Sequence, residues 1–256
     1  MKLVSLNTWK AEGQYLRRIE AMAQGLKALS PDVIALQEDL RTADELTHTA
    51  RSLALALDMQ VFWLPARPKL RTVGMQRKLT TSGMAILSRY PVQEQHVLAL
   101  PQDERDGERV AQCVRLADPA GDWWLVNLHL THLDDRADLR KQQLETILSA
   151  MADLAPTQPV VLCGDFNAGP DDEEISHFLS IGRLRDVFSD AAKVTHVDAA
   201  GVDRNLDHIL LRPNRGLAVA IGYAAVVLDK PNSEGVMFSD HYGVYADLRF
   251  SEAAPH

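Results

Sequence analysis

Polar and apolar positions along this chain alternate in two rhythms, one of period two and one near 3.6, and their succession predicts the order of its elements. Lys2–Leu6 reads as a strand. Tyr15–Leu29 carries Leu16, Ile19, Ala23 and Leu26 at helical spacing and is stopped by Pro31. Asp32–Gln37 predicts a second strand, Thr42–Leu57 a second helix and Gln60–Leu64 an extended segment. Pro65–Thr80 reads as a long loop, and Ser82–Ser88, Val92–Leu100, Arg109–Ala117 and Trp123–Leu130 follow as strands. Arg136–Leu154 is the longest helix candidate. Val160–Cys163 predicts a strand, Asp172–Leu179 a short helix, and Leu206–Leu211, Ala218–Val227 and Val244–Phe250 further strands. No composition break, linker or repeat divides residues 1–256, so one layered α/β domain is expected, with two sheets face to face and helices outside.

Composition changes this picture little. A chain of 256 residues, 46% hydrophobic and 24% charged, has the make-up of an ordinary globular protein with a sizeable core. Its net charge of −8 argues against broad electrostatic capture of nucleic acid, although a local basic patch could still hold phosphate. Cys113 and Cys163 each sit inside an apolar, strand-like run, which favours buried thiols over a disulfide and fits the cytosol. The opening M-K-L-V-S-L-N-T-W runs straight into a strand with no signal-peptide pattern, and no segment is long enough to span a membrane. A cytoplasmic monomer is the expectation.

The chemistry gathers where apolar runs stop. In V-V-L-C-G-D-F-N, Val160 to Asn167, a buried strand ends in Asp165 and Asn167, and both groups need partners because burying either alone would cost several kcal/mol, on the order of 2–7. Asn7 follows the first strand and Glu38 the second, while His129 and Thr131 close N-L-H-L-T-H. Asp207 opens L-D-H-I-L-L, and Asp240 and His241 lie in S-D-H-Y-G. Taken singly each has a plain structural reading: Asn7 could cap a turn, and Glu38 could pair with a lysine. Taken together, they sit at strand ends of the kind that converge on a ligand in α/β architectures. Oxygen donors from Glu, Asp and Asn without cysteine suit Mg2+ or Mn2+, and zinc fits less well. Such an ion beside histidines can stabilise charge in an in-line displacement at phosphorus.

The series L-N-T-W, L-Q-E, S-G-M-A-I-L-S-R-Y-P, N-L-H-L-T-H, G-D-F-N, L-D-H-I and S-D-H-Y-G-V resembles the endonuclease/exonuclease/phosphatase superfamily, in order and over nearly the whole chain. The resemblance implies a four-layer α/β/β/α sandwich of two mainly antiparallel or mixed sheets that cleaves phosphoester bonds with a divalent metal. It also implies that Asn7 and Glu38 hold the metal with Asp240 close enough to assist. Asp165 would orient or deprotonate the attacking water, and Asn167 would fix phosphate or water. His241 would touch the phosphate while paired to Asp207, and His129 would stabilise the phosphate or the leaving group. Where many relatives have Arg-x-Asp-Tyr, this chain has Asn205, Leu206, Asp207 and His208, keeping the carboxylate alone. Arg140 and Gln143 fit an Arg-x-x-Gln pattern that reads as helix packing.

The substrate is less specified. The Pro65–Thr80 stretch carries Arg67, Lys69, Arg71, Arg77 and Lys78 and no acid, which reads either as a solvated loop or as a phosphate-facing lip. Against a dedicated duplex nuclease stand the acidic balance and the lack of a groove-binding helix. Against a sphingomyelinase stands the lack of a membrane-seeking hairpin, since Trp123 and Trp124, adjacent in a strand, point to opposite faces. The expectation is a metal-dependent phosphodiesterase acting on a phosphoester, with nucleic acid one candidate and a small or lipid phosphoester the alternative. A non-catalytic phosphate-binding relative is a further alternative.

Overall fold

The computed structural model describes residues 1–188, 193–198, 200–212 and 217–252. One sheet runs in the order β14 (Leu217–Val227), β15 (Gly243–Glu252), β1 (Lys2–Asn7), β2 (Val33–Thr42), β5 (Gln76–Ser88) and β3 (Gln60–Leu64), with β4 (Lys69–Val73) also paired to β5. The other runs β10 (Arg185–Asp186), β13 (Asp207–Arg212), β9 (Val160–Asp165), β8 (Trp123–His129), β7 (Val110–Leu116) and β6 (Val92–Ala99). A small ribbon joins β11 (His196–Val197) to β12 (Asp203–Arg204). The helices are α1 (Tyr15–Leu29), α2 (Thr49–Leu57), α3 (Ala137–Leu154) and α4 (Glu173–Gly182).

Strand alternation builds the layers. Leu3, Ala35, Trp123, Cys163, Ile209 and Ala246 fill the space between the two sheets. Their neighbours Val4, Ile34 and Leu36 turn the other way, onto Ile19, Met22 and Leu26 of α1 and Leu53 of α2. On the second sheet Cys113, Trp124, Val126 and Leu162 pack under Ile147 and Met151 of α3 and Phe178 of α4. This is the expected four-layer sandwich, and each fully buried large side chain in it contributes about 1.5–3 kcal/mol. Trp123 and Trp124 do fall on opposite faces, and the two cysteines are free, buried and in different layers.

Three sequence expectations are corrected. The buried stripe of α1 is Tyr15, Arg18, Ile19, Met22 and Leu26, while Leu16 is exposed. Strand β2 continues to Thr42, so α2 starts only at Thr49, where Asp39 accepts the Ala50 N–H and caps the helix. The stretch Pro65–Thr80 is a hairpin: β4 and the first half of β5 pair from Lys69↔Thr80 to Val73↔Gln76 around Gly74 and Met75, with Gly74 at a φ of 61°. Charges on both strands had obscured its period-two pattern.

The topology also locates the site. Parallel pairs β1/β2 and β8/β9 are each joined through a helix, so the carboxyl ends of these strands share one rim. Antiparallel β13 and β15 begin at that rim: Asp207 faces Asp165 in the ladder, and Val244 faces Ser5.

Candidate active site

A cleft of about 430 Å³ opens at the rim, lined by Asn7, Glu38, His129, Asp165, Asn167, Asp240 and His241, while Asp207 lies fully buried behind His241. Local backbone places several of these. Gly164 has a φ of 143°, and a Cβ there would lie 1.9 Å from the Leu128 carbonyl oxygen, so only glycine lets β9 run this close to β8 before Asp165. Glu38 does not follow its strand, as the sequence suggested, but sits within it, at a register shift between Leu36 and Asp39 with a φ of 56°. Trp9, Lys10 and Asn167, also at the cleft, share positive φ values of 55°, 43° and 52°. Left-handed backbone at non-glycine residues costs on the order of 1–3 kcal/mol each, and four of the nine such residues among those described line the cleft.

Asp165 is the hub. Its Oδ2 accepts from the Asn7 amide at 3.1 Å, its Oδ1 from the Asn167 N–H at 2.9 Å, and Nε2 of His129 and of His241 lie 3.5 and 3.8 Å from Oδ2. Burial pushes its carboxyl up to about 6, partly opposed by the charge of His241. His241 Nδ1 lies 2.9 Å from Asp207 Oδ2. Burial alone would lower this imidazole, but Asp207, Asp165 and Asp240 outweigh it and raise the group to about 10, which keeps it protonated. His129 is driven the opposite way, first by burial and then by the charges of Arg109, Lys10 and His241, and is held neutral. Arg204, three residues before Asp207, points elsewhere and reaches Asp134 at 3.6 Å.

Asn7 also accepts the Trp9 N–H at 3.0 Å, and Glu38 takes the Lys10 ammonium at 2.6 Å, so the plain structural reading of each is met. Asp240 is raised by burial and by the neighbouring Glu38 carboxylate. Asn7, Glu38 and Asp240 line the same open cleft and offer only oxygen donors beside it, the donor type that hard divalent cations take. Two groupings that include nitrogen are compact enough for an ion, His196/Asp240/His241 and Asp165/Asp207/His241. In both, His241 already spends Nδ1 on Asp207, and we read the second as a hydrogen-bonded relay.

Sequence reasoning overlooked several residues that hold this arrangement. Gln37 donates to Asn127 at 2.7 Å, and Asn127 donates to the Leu36 and Ala85 carbonyls, so a buried amide pair ties the two sheets together beside Glu38. Polar letters inside I-A-L-Q and L-V-N-L were the signal for it. Thr195 accepts the Leu206 and Asp207 N–H groups through its hydroxyl and the Tyr242 N–H through its carbonyl, coupling the Asp207 strand to the His241 loop. The His196 ring lies 4.5 Å from the His241 ring, centroid to centroid, tilted by 47°. Neither Thr195 nor His196 has a local sequence signature. Arg140 and Gln143 behave as expected for packing residues, binding Glu174 at 2.7 Å and the Thr131 N–H at 3.1 Å.

Among proteins of known structure, the fold superposes on the mannosyl-6-phosphatase Bt3783 of Bacteroides thetaiotaomicron with a TM-score of 0.77 at 19% identity, covering 98% of this chain and 100% of that one. The human Nocturnin catalytic domain with bound sulfate gives a TM-score of 0.76 at 20% identity, over 98% and 94%. In sequence, Protein angel of Drosophila melanogaster is 27% identical over 178 residues, 68% of this chain, and the match spans about half of that relative, 49%. A family model, Endonuclease/Exonuclease/phosphatase family, matches residues 4–241. Its members are generally hydrolases of phosphoesters and typically depend on a divalent metal. With the same motifs distributed around one cleft, the chain belongs to the endonuclease/exonuclease/phosphatase family.

Proposed function

We propose that this protein hydrolyses a phosphoester, a phosphodiester first among candidates, by in-line attack of a water activated at Asp165. The observation that carries the reading is the chain Asp207–His241–Asp165–Asn7, closed by hydrogen bonds and short approaches at the floor of an open cleft. Asp165, with its carboxyl raised and both oxygens oriented, takes the proton of the attacking water. Asn167 donates one of its two amide N–H groups to the Leu130 carbonyl at 3.0 Å, which orients the side chain and leaves Oδ1 to accept from water and the other N–H to donate to water or phosphate. Protonated His241 faces the phosphoryl oxygen on which charge grows, and Asp207 keeps it charged and turned toward the cleft. Neutral His129 is suited to donate a hydrogen bond to a phosphoryl or leaving oxygen.

Asn7, Glu38 and Asp240 would hold Mg2+ or Mn2+. Such an ion supplies charge stabilisation at the phosphoryl group when bound. The cleft admits a nucleotide-sized ligand, so nucleic acid and a small phosphoester are both candidate substrates, and the mannosyl-6-phosphatase likeness favours keeping the small one. The test is a metal-dependent hydrolysis panel of bis(p-nitrophenyl) phosphate, single- and double-stranded DNA, RNA, sphingomyelin and inositol phosphates. Turnover of at least one ester, abolished by chelator, is expected; inertness toward all of them would leave a phosphate-binding relative without the chemistry.

A further inference from the structure

The hairpin divides the basic stretch of the sequence into two groups. Arg67, just before β4, and Lys69 and Arg71 within it recur every second residue and all line the cleft, spread over roughly 13 Å of extended chain. Lys78 instead reaches Asp44 at 2.9 Å, and Arg77 shares the outer face of the hairpin with exposed Leu70 and Leu79. Among the described residues, neither Arg67, Lys69 nor Arg71 has a carboxylate within 4.0 Å. Arg71 donates one Nη1–H to Thr80 Oγ1 at 2.8 Å, a contact that fixes the side chain and leaves the rest of its fork unspent. Partial burial lowers the Lys69 ammonium, and repulsion from Arg67, Arg71 and Lys10 adds to it. Glu12, Glu38 and Asp106 also line the cleft and act on Arg71 and Lys69 at longer range, but none lies within ion-pair distance of them, so the three cations keep donors that a bound anion can take. In the proposed reaction His129 and His241 serve the reacting phosphoryl group, which leaves the hairpin cations for a different anion.

We propose that Arg67, Lys69 and Arg71 form a second anion subsite that takes a phosphate of the substrate other than the one being cleaved. The enzyme then selects phosphoesters that carry at least two phosphates, an inference that rests on the phosphoesterase reading. Its test compares the unmodified protein with R67Q/K69Q/R71Q and with R77Q/K78Q. The substrates are bis(p-nitrophenyl) phosphate, a thymidine 5′-(p-nitrophenyl phosphate) bearing a 3′-phosphate, and a short single-stranded oligonucleotide. In the triple variant, kcat/KM on the two multiply phosphorylated substrates, relative to the single-phosphate ester, should fall about tenfold to a hundredfold, chiefly through KM. R77Q/K78Q should keep the ratio of the unmodified protein. A fall on both substrates assigns any second phosphate to the subsite, and a fall on the oligonucleotide alone assigns the next phosphate of a polynucleotide. A ratio that stays put in the triple variant, or falls as far in R77Q/K78Q, overturns the proposal. Calorimetric titration of inorganic pyrophosphate in metal-free buffer separates the two ideas. If no ester turns over but the triple variant binds pyrophosphate more weakly, the subsite stands and the phosphoesterase reading fails; equal binding without turnover removes the subsite as well.

Discussion

The dipeptide Asp-His occurs at 207–208 and again at 240–241, and the fold uses the two in different ways. His208 is fully buried, with Nδ1 3.0 Å from Asp186, Nε2 3.0 Å from the Ala168 carbonyl and its edge against Phe166. A ring with both nitrogens spent braces its neighbours and has no atom left for a ligand. His241 spends Nδ1 on Asp207 and keeps Nε2 at the cleft. The aspartates divide as well: Asp207 is sealed behind His241, and Asp240 lines the cleft. The working pair therefore crosses between the dipeptides, joining the Asp of one to the His of the other. Asp39 and His48, 3.2 Å apart, form another buried pair, but Asp39 also accepts the Ala50 N–H at 2.6 Å and serves the start of α2. What separates a site from a strut here is the number of unspent polar atoms at the cleft.

The largest effect should come from Asp165→Asn, which removes the proton acceptor and is expected to lower kcat by about 10²–10⁴-fold with a folded protein by circular dichroism. Loss of the native thermal transition instead would make Asp165 a strut like Asp39. Next come Asp207→Asn and His241→Ala, each expected to cost about 10²-fold or more in kcat/KM. Because the two act as a unit, the double variant should lose little beyond the worse single, and fully additive losses in the cycle would dissolve the crossed pair. Glu38→Gln should weaken Mn2+ binding by at least about tenfold in a calorimetric titration, the scale seen when even an outer partner of a metal site is lost. Unchanged Mn2+ affinity would move the cation away from Glu38 and toward the histidine-containing groupings. The smallest effect on catalysis belongs to His208→Gln, which should cost about 1–3 kcal/mol of stability in denaturant unfolding while kcat/KM stays near that of the unmodified protein. A heavy loss of activity with unchanged stability would erase the contrast between the two histidines.

Most of the element order was legible because the longer strands and helices announce themselves over a few neighbouring residues, through alternation, helical spacing and the stop at Pro31. The hairpin was missed because one face carries Lys69, Arg71 and Lys78 while the apolar Leu70 and Leu79 of the other are exposed, so the run lacks the apolar-inward alternation of a core strand. The run of β2 through Thr42 was missed because its bulge at Glu38 breaks the period. The motifs supplied the list of candidate side chains, and the order of the strands brought seven of them to one cleft with Asp207 behind. Sequence by itself determined the residue types, the layered fold and the family, since those depend on local pattern and on motifs in order. Only the tertiary structure decided which Asp meets which His, which three of five hairpin cations line the cleft, and which buried amides tie the sheets together. Those choices turn on contacts between residues 34 positions apart, as in Asp207 and His241, and 90 apart, as in Gln37 and Asn127, and such contacts form only when the two sheets close on each other.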